Sequence, residues 1–252
     1  LRNSHGKVRF VNLEKAHQNW TQLGKEDAMW AVLTDDSKKG NKWNEAEFFQ
    51  TGRAEISAEI QRLRDAGVPL NLQRALDFGC GPGRLTQALG DYFSAVDGVD
   101  ISSSMIEKAN ALNRKPDSVH YHLNIKSDLS FFPSNSYDFV YSAITLLHIP
   151  PPHQESYIAE FVRLLKPGGV ARFQTIHAHS WRGLIPNWFA EIYRGYKYRG
   201  RAYIPIYGLP VRRVRGAVSG QGGIIRKYEE QPYKGWESRF AVDNFIAVKP
   251  AG

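Results

Sequence analysis

Three glycines, Gly79, Gly81 and Gly83, fall at every second position behind a short apolar run in "RALDFGCGPGRLTQAL", residues 74–89. That run carries an acid, Asp77, and a second acid, Asp100, closes the later run "GVDIS", 17 residues beyond Gly83. Glycines at a strand-to-helix turn let backbone N–H groups approach a ligand with no Cβ in the way. They would equally serve a tight turn that binds nothing. The spacing is not the G-x-G-x-x-G of a dinucleotide site, because position 84 is Arg, and it lacks the Gly-Lys-Ser/Thr ending of a phosphate-binding loop. A carboxylate at Asp77 repels an anion and accepts a hydrogen bond from an ammonium group, so a zwitterionic ligand suits the pattern better than a phosphate.

Such residues need elements to hold them. Residues 12–34 and 42–66 read as two helices separated by the polar break "DDSKKGN". Strand and helix then alternate: "RALDF" is a strand, "GRLTQALGDYF" a helix with Leu85, Leu89 and Phe93 on one face, and "AVDGVD" a strand. "SSMIEKANALN" follows as a helix opened by Ser102 or Ser103, then the strands "VHYHLN" and "YDFVYSA", the helix "HQESYIAEFVRLLK" and the strand "VARFQTI". Parallel strands joined by helical crossovers make a doubly wound α/β sheet. In the tail, "VRRVRGAVS", "GGIIRKYEEQ" and "SRFAVDNFIAVK" read as strands around a Gly222-Gly223 turn, giving the mostly parallel, seven-stranded sheet an antiparallel C-terminal hairpin.

In this topology ligands bind beyond the carboxyl ends of the strands, where the glycine turn and Asp100 lie. Here the chain resembles the class I S-adenosylmethionine-dependent methyltransferases, whose first motif reads like "LDFGCGPG". The likeness runs over roughly residues 43–176 and takes in "NSYDFVYSAITLLHI" and "EFVRLLKPGGVARF". It implies S-adenosylmethionine as cofactor, S-adenosylhomocysteine as product, and a Rossmann-like sheet. Carried over by position, Asp77, Gly79, Cys80, Gly81, Pro82 and Gly83 form the first cofactor motif. Asp100 would take the ribose hydroxyls, with Ile101 and Met105 flanking the adenine and Asn124, or else Asp128, beside its amino group. Ile125 and Ser142 are further candidate cofactor contacts on the same resemblance. Trp43 and Arg53, on the N-terminal helices, would close it, with Arg53 paired to the methionine carboxylate or simply solvated.

Methyl transfer from a sulfonium to a hydroxyl needs positioning and a proton acceptor, for which histidine is apt near neutral pH. His148 in "LLHIPPP", just past the fourth strand, is the candidate base; His153, His177 and His179 are rivals, and His148 could merely hydrogen-bond the next loop. The segment "WRGLIPNWFAEIYRGYKYRGRAYIPIYGLPVRR" reads as an acceptor cap, with Trp181, Trp188, Tyr193, Tyr207 and His177 as candidate substrate contacts. The domain expectation is a single domain over 1–252: a helical cover (1–70), cofactor core (71–178), cap (179–213) and C-terminal strands (214–252).

The bulk properties fit an enzyme of ordinary composition. Of 252 residues, 42% are hydrophobic and 23% charged, and no apolar run approaches the length of a membrane span. One cysteine, Cys80, leaves no internal disulfide, and no metal-binding cluster stands out; a cytoplasmic location is the expectation. The net charge of +8 is confined to the tail: residues 1–175 carry 20 Lys/Arg and 20 Asp/Glu, residues 176–252 carry 13 and 5. The leading expectation is O-methylation of a small hydroxylated metabolite, sugar or natural product. A nucleic-acid methyltransferase that uses the basic aromatic stretch 181–215 is the alternative, and a catalytically silent cofactor-binding protein a third.

Overall fold

A computed structural model of the chain describes residues 13–178, 206–232 and 240–251. Two helices lead: α1 (Leu13–Val32) and α2 (Glu45–Asp65), with a 3₁₀ turn at Asp36–Lys38 between them. Then come β1 (Arg74–Phe78), α3 (Arg84–Leu89), β2 (Ala95–Asp100), α4 (Ser103–Ala111), β3 (Val119–Leu123) and β4 (Tyr137–Ser142). A 3₁₀ turn at Leu146–His148, α5 (Pro151–Leu164), β5 (Leu165–Ala178), α6 (Val211–Ser219), β6 (Ile224–Pro232) and β7 (Phe240–Val248) complete the order.

The strands form one seven-stranded sheet in the order β3-β2-β1-β4-β5-β7-β6. The first five run parallel, as the alternating sequence pattern requires, and β7 pairs antiparallel with both β5 and β6. One face buries Ile56, Ile60 and Leu63 of α2 with Leu85 and Leu89 of α3. The other buries Phe161 and Leu164 of α5 with Val214 and Val218 of α6 against Phe173 and Phe245 of the sheet. The strand order reverses between β1 and β4, so the connections leaving their carboxyl ends pass to opposite faces of the sheet and leave a crevice there.

Two helices differ from expectation. "VRRVRGAVS" is the helix α6, not a strand. Its valines recur at 211, 214 and 218, the 3.6-residue period, so Val214 and Val218 reach the core while Arg212 and Arg215 face water. Abundant β-branched residues disguise that period, and tertiary burial overrides their propensity. In the other case α3 stops at Leu89, short of Phe93, because Gly90 ends it.

Helix α1 breaks at Asp27, whose extended backbone interrupts the turn. The buried Asp27 carboxylate accepts from the N–H groups of Gly40 (2.8 Å), Asn41 (2.7 Å) and Trp30 (3.3 Å). It thereby staples α1 to the loop before α2. Among the described residues no helix is long and apolar enough to cross a membrane.

Candidate functional site

A cleft, partly open to solvent, lies over the carboxyl ends of β1, β2 and β4. Its floor is the glycine turn with Phe78 and Val99, and its far wall is the post-β4 loop from Ala143 to Pro150. Helix α1 forms the near wall through Leu13, Ala16, Trp20, Ala31 and Val32. Its mostly apolar lining, with a few convergent polar groups, suits a nucleoside-bearing small molecule.

The turn is fixed to β2 by two hydrogen bonds into the Val99 carbonyl, from Gly79 N (2.7 Å) and Cys80 N (3.0 Å). Gly79 and Gly83 both have left-handed backbones, at φ +81° and +88°. A Cβ at Gly79 would stand 2.1 Å from Thr145 Oγ1, and one at Gly83 2.3 Å from the Tyr121 hydroxyl oxygen. These glycines therefore admit neighbouring protein side chains as well as the turn itself, a different reason from the ligand approach read from their spacing. Gly79, Cys80 and Gly81 line the cleft; Pro82 and Gly83 lie outside its wall.

Asp100 lines the cleft at the end of β2. Its Oδ2 accepts from Gly81 N (2.9 Å) and its Oδ1 from Ser102 N (2.8 Å). Each oxygen keeps lone-pair capacity for a hydroxyl donor, which a vicinal diol would supply. Burial raises the Asp100 pKa, and the backbone donors work against that rise by favouring the charged form. Ile101 and Met105 stand beside it in the wall, Met105 packed on Leu23, Ala28 and Ala31 of α1.

Asp77 lies under the turn rather than in the wall. It is buried, accepts from Thr86 Oγ1 at 2.6 Å, and burial pushes its pKa up to about 7. Cys80 is buried too, its thiol pushed up by the same desolvation, so it supplies shape rather than a thiolate. Asn124 lines the cleft, but its amide is committed to its own turn: Nδ2 donates to Asp128 O (2.8 Å) and Oδ1 accepts from Lys126 N (3.1 Å). Asp128 accepts from Ser130 away from the cleft, Ile125 is exposed, and buried Ser142 donates to Phe78 O (3.1 Å), tying β4 to β1.

Trp43 and Arg53 are not brought to this cleft. Trp43 donates to Leu33 O (3.2 Å) and packs edge-on against Phe48, while Arg53 bonds Gln50 on the exposed face of α2. Helix α2 turns Thr51 and Glu55 inward instead, and these hold a residue that sequence reasoning passed over. Arg84, buried in the wall, pairs with Glu55 through Nη2 (2.8 Å) and meets Thr51 Oγ1 through Nη1 (3.4 Å). Its Nε is buried without a hydrogen-bond partner. A guanidinium with an orphaned donor in the wall of a cleft fits the carboxylate of an amino-acid moiety. One signal could have found it: arginine in the first turn of a helix opposes the helix dipole, so its presence there asks for a reason.

His148 lines the far wall, its ring 5.3 Å from that of Trp20. Its N–H donates to Thr145 O (2.9 Å), which closes the 3₁₀ turn. The neighbouring Ile144 holds φ +56°, a strained value for a β-branched residue, and its N–H donates to Gln174 Oε1 (3.2 Å). His153 lies on α5, outside the wall, with its pKa lowered by burial. His177 lies outside the wall as well, on β5, with Nδ1 2.8 Å from Asp243 Oδ2. Tyr207 is buried behind the post-β4 loop, donating its N–H to Leu147 O (2.7 Å). Trp181, Trp188, Tyr193 and His179 fall outside the described residues.

With this geometry in hand, residues 75–169 match a family described as "Methyltransferase domain". A ubiquinone biosynthesis O-methyltransferase of Thiobacillus denitrificans is 34% identical over 127 residues, covering 48% of this chain and 54% of that protein. A probable methyltransferase of Aspergillus luteorubrus is 33% identical over 162 residues, covering 59% and 54%. The chain thus spans about half the length of these curated relatives. Among solved structures, a magnesium protoporphyrin IX methyltransferase of Synechocystis with bound S-adenosylmethionine superposes with TM-score 0.61 at 16% identity, covering 96% of this chain and 99% of that one. A geranyl diphosphate C-methyltransferase of Streptomyces coelicolor does so with TM-score 0.61 at 16% identity, covering 96% and 98%. At such identity these last two speak for the fold.

Proposed function

We propose a reaction from one premise: residues 75–169 are a class I, S-adenosylmethionine-dependent methyltransferase domain. The protein binds S-adenosylmethionine in the cleft over β1, β2 and β4 and methylates a hydroxyl of a small molecule. The cofactor supplies a methyl group on a positively charged sulfur, open to in-line displacement. Asp100 receives the ribose hydroxyls, Ile101 and Met105 flank the adenine, and Arg84 takes the carboxylate. His148 accepts the acceptor's hydroxyl proton as the new oxygen–carbon bond forms and the carbon–sulfur bond breaks.

The observation that carries this reading is the convergence of Asp100, the glycine turn, Arg84 and His148 on one cleft. The choice of oxygen as the methylated atom draws further support from the O-methyltransferases among the relatives. Calorimetric titration of S-adenosylhomocysteine into wild-type protein and Asp100→Ala tests the cofactor site. Binding in the wild type, weakened at least about tenfold in the variant by loss of charge-assisted hydrogen bonds, is the expected result. No binding to folded wild-type protein would sink the reading. The His148 assignment has its own test: His148→Ala should keep cofactor affinity and lose about 10²-fold or more in turnover of a hydroxyl substrate. Near-wild-type turnover would remove His148 from the chemistry.

A further inference from the structure

The antiparallel limb of the sheet places two carboxylates where they should repel. Glu230 on β6 and Asp243 on β7 are direct cross-strand partners, so their side chains stand on the same face. Like charges directly opposite one another destabilise a sheet. Asp243 is also wholly buried, and a buried carboxylate needs compensation. His177 on β5 completes the group. Thr175 pairs with Asp243, so His177, two residues on, shares that face and lies diagonal to Asp243.

The three side chains stand close enough together to meet one ion. His177 Nδ1 is 2.8 Å from Asp243 Oδ2, and His177 Nε2 is 3.9 Å from Glu230 Oε2. The first separation is a hydrogen bond whose proton an ion on Nδ1 would displace, and the second is too long for a hydrogen bond. One donor atom from each of the three residues lies within 4.8 Å of the others. The Tyr228 hydroxyl, 2.8 Å from Asp243 Oδ1 and 3.3 Å from Glu230 Oε2, backs the carboxylates as an outer partner.

The geometry points to a divalent-cation site formed by His177, Glu230 and Asp243. One imidazole nitrogen with two carboxylates selects a first-row transition ion such as Zn²⁺ or Mn²⁺ over Ca²⁺, which prefers an all-oxygen shell. Three protein ligands leave coordination positions open to an oxygen from water or a bound molecule. The ligands are on three strands and at least one, Asp243, is rigidly held, so the site is built into the sheet rather than borne on a loop. This inference is independent of the methyl-transfer reading.

The test uses the full chain, free of any histidine tag and dialysed against chelator. Mn²⁺ is titrated by loss of the free-ion electron paramagnetic resonance signal, and Zn²⁺ by competition with a chromophoric chelator. One equivalent should bind with micromolar or tighter affinity. Glu230→Gln and His177→Asn should weaken it at least about tenfold. Glu229→Gln, on the opposite face of β6 and paired with Lys227, should leave it unchanged. Zn²⁺ should also raise the thermal midpoint of the wild type and not that of Glu230→Gln. Absence of saturable binding, or equal binding by Glu230→Gln, overturns the site. Glu230 is partly exposed near a strand end, so that variant decides the matter even if His177→Asn folds poorly.

Discussion

Arg84 stands in the first turn of α3, where its charge opposes the helix dipole and one of its buried N–H groups goes unpaired. If it takes the ligand's carboxylate, Arg84→Met should weaken S-adenosylhomocysteine by about 10- to 100-fold, the worth of a hydrogen bond to a charged group. The same variant should bind 5′-methylthioadenosine, which has no amino-acid moiety, within about twofold of wild type. Equal losses for both ligands would reduce Arg84 to a structural partner of Glu55. Asp77 makes a prediction about pH. Burial raises its folded pKa from 3.8 to about 7, so between those values the folded state holds a proton that the unfolded state has lost. Stability therefore falls as pH rises through that window. Asp77→Asn keeps an acceptor for Thr86 and removes the titration, so its thermal midpoint relative to wild type should climb from about pH 4 to pH 7 and then level off. A constant difference would place the titrating group elsewhere. At this scale the chain was readable where side-chain type implies chemistry beside a glycine turn, as at Asp100. It was opaque at Arg84 and Arg53, because a helical arginine looks the same whether it faces water or a cleft.

Helix α2 is tied to β5 by a buried ion pair. Arg172 Nε donates to Glu59 Oε1 at 3.0 Å, and its Nη2 reaches Asn244 Oδ1 at 2.8 Å. Removing one partner strands a charge, so Glu59→Ala should cost about 3–5 kcal/mol in denaturant unfolding, whereas Glu59→Met with Arg172→Met should recover most of it. If both variants are equally destabilised, burial of the charges is not the controlling quantity. Elements were legible where period and punctuation agreed: Ala95–Asp100 was read to the residue, and Ser102 does cap α4, its Oγ accepting from Met105 N. α6 was misread because three valines in a short arginine-rich stretch look like a strand until their spacing is matched to a core. Nothing local shows which face will find apolar neighbours.

For the whole molecule, alternation of strands and helices was enough to expect a doubly wound sheet with an antiparallel end, because parallel neighbours demand crossovers and a hairpin does not. What it could not convey is that α1, distant in sequence from β4, would form a wall of the cleft opposite the post-β4 loop. That contact is non-local: the resemblance implied an N-terminal helical cover, but one closing the pocket through Trp43 and Arg53 rather than through α1. Helix α1 reaches over the carboxyl ends in two limbs on either side of Asp27, Trp20 on one meeting His148 and Val32 on the other crowding Gly81. Its apolar hold on the rest of the fold runs largely through Leu23, Ala28 and Ala31 against Met105. If a bound molecule leaves by the side that α1 walls, that hold has to loosen first. For the proposed methyl transfer, such a step predicts a fast first round of about one product per protein molecule, followed by a slower steady rate. Rapid-quench kinetics with excess substrate would display that burst, and a linear first phase would mean that chemistry, not departure, keeps time.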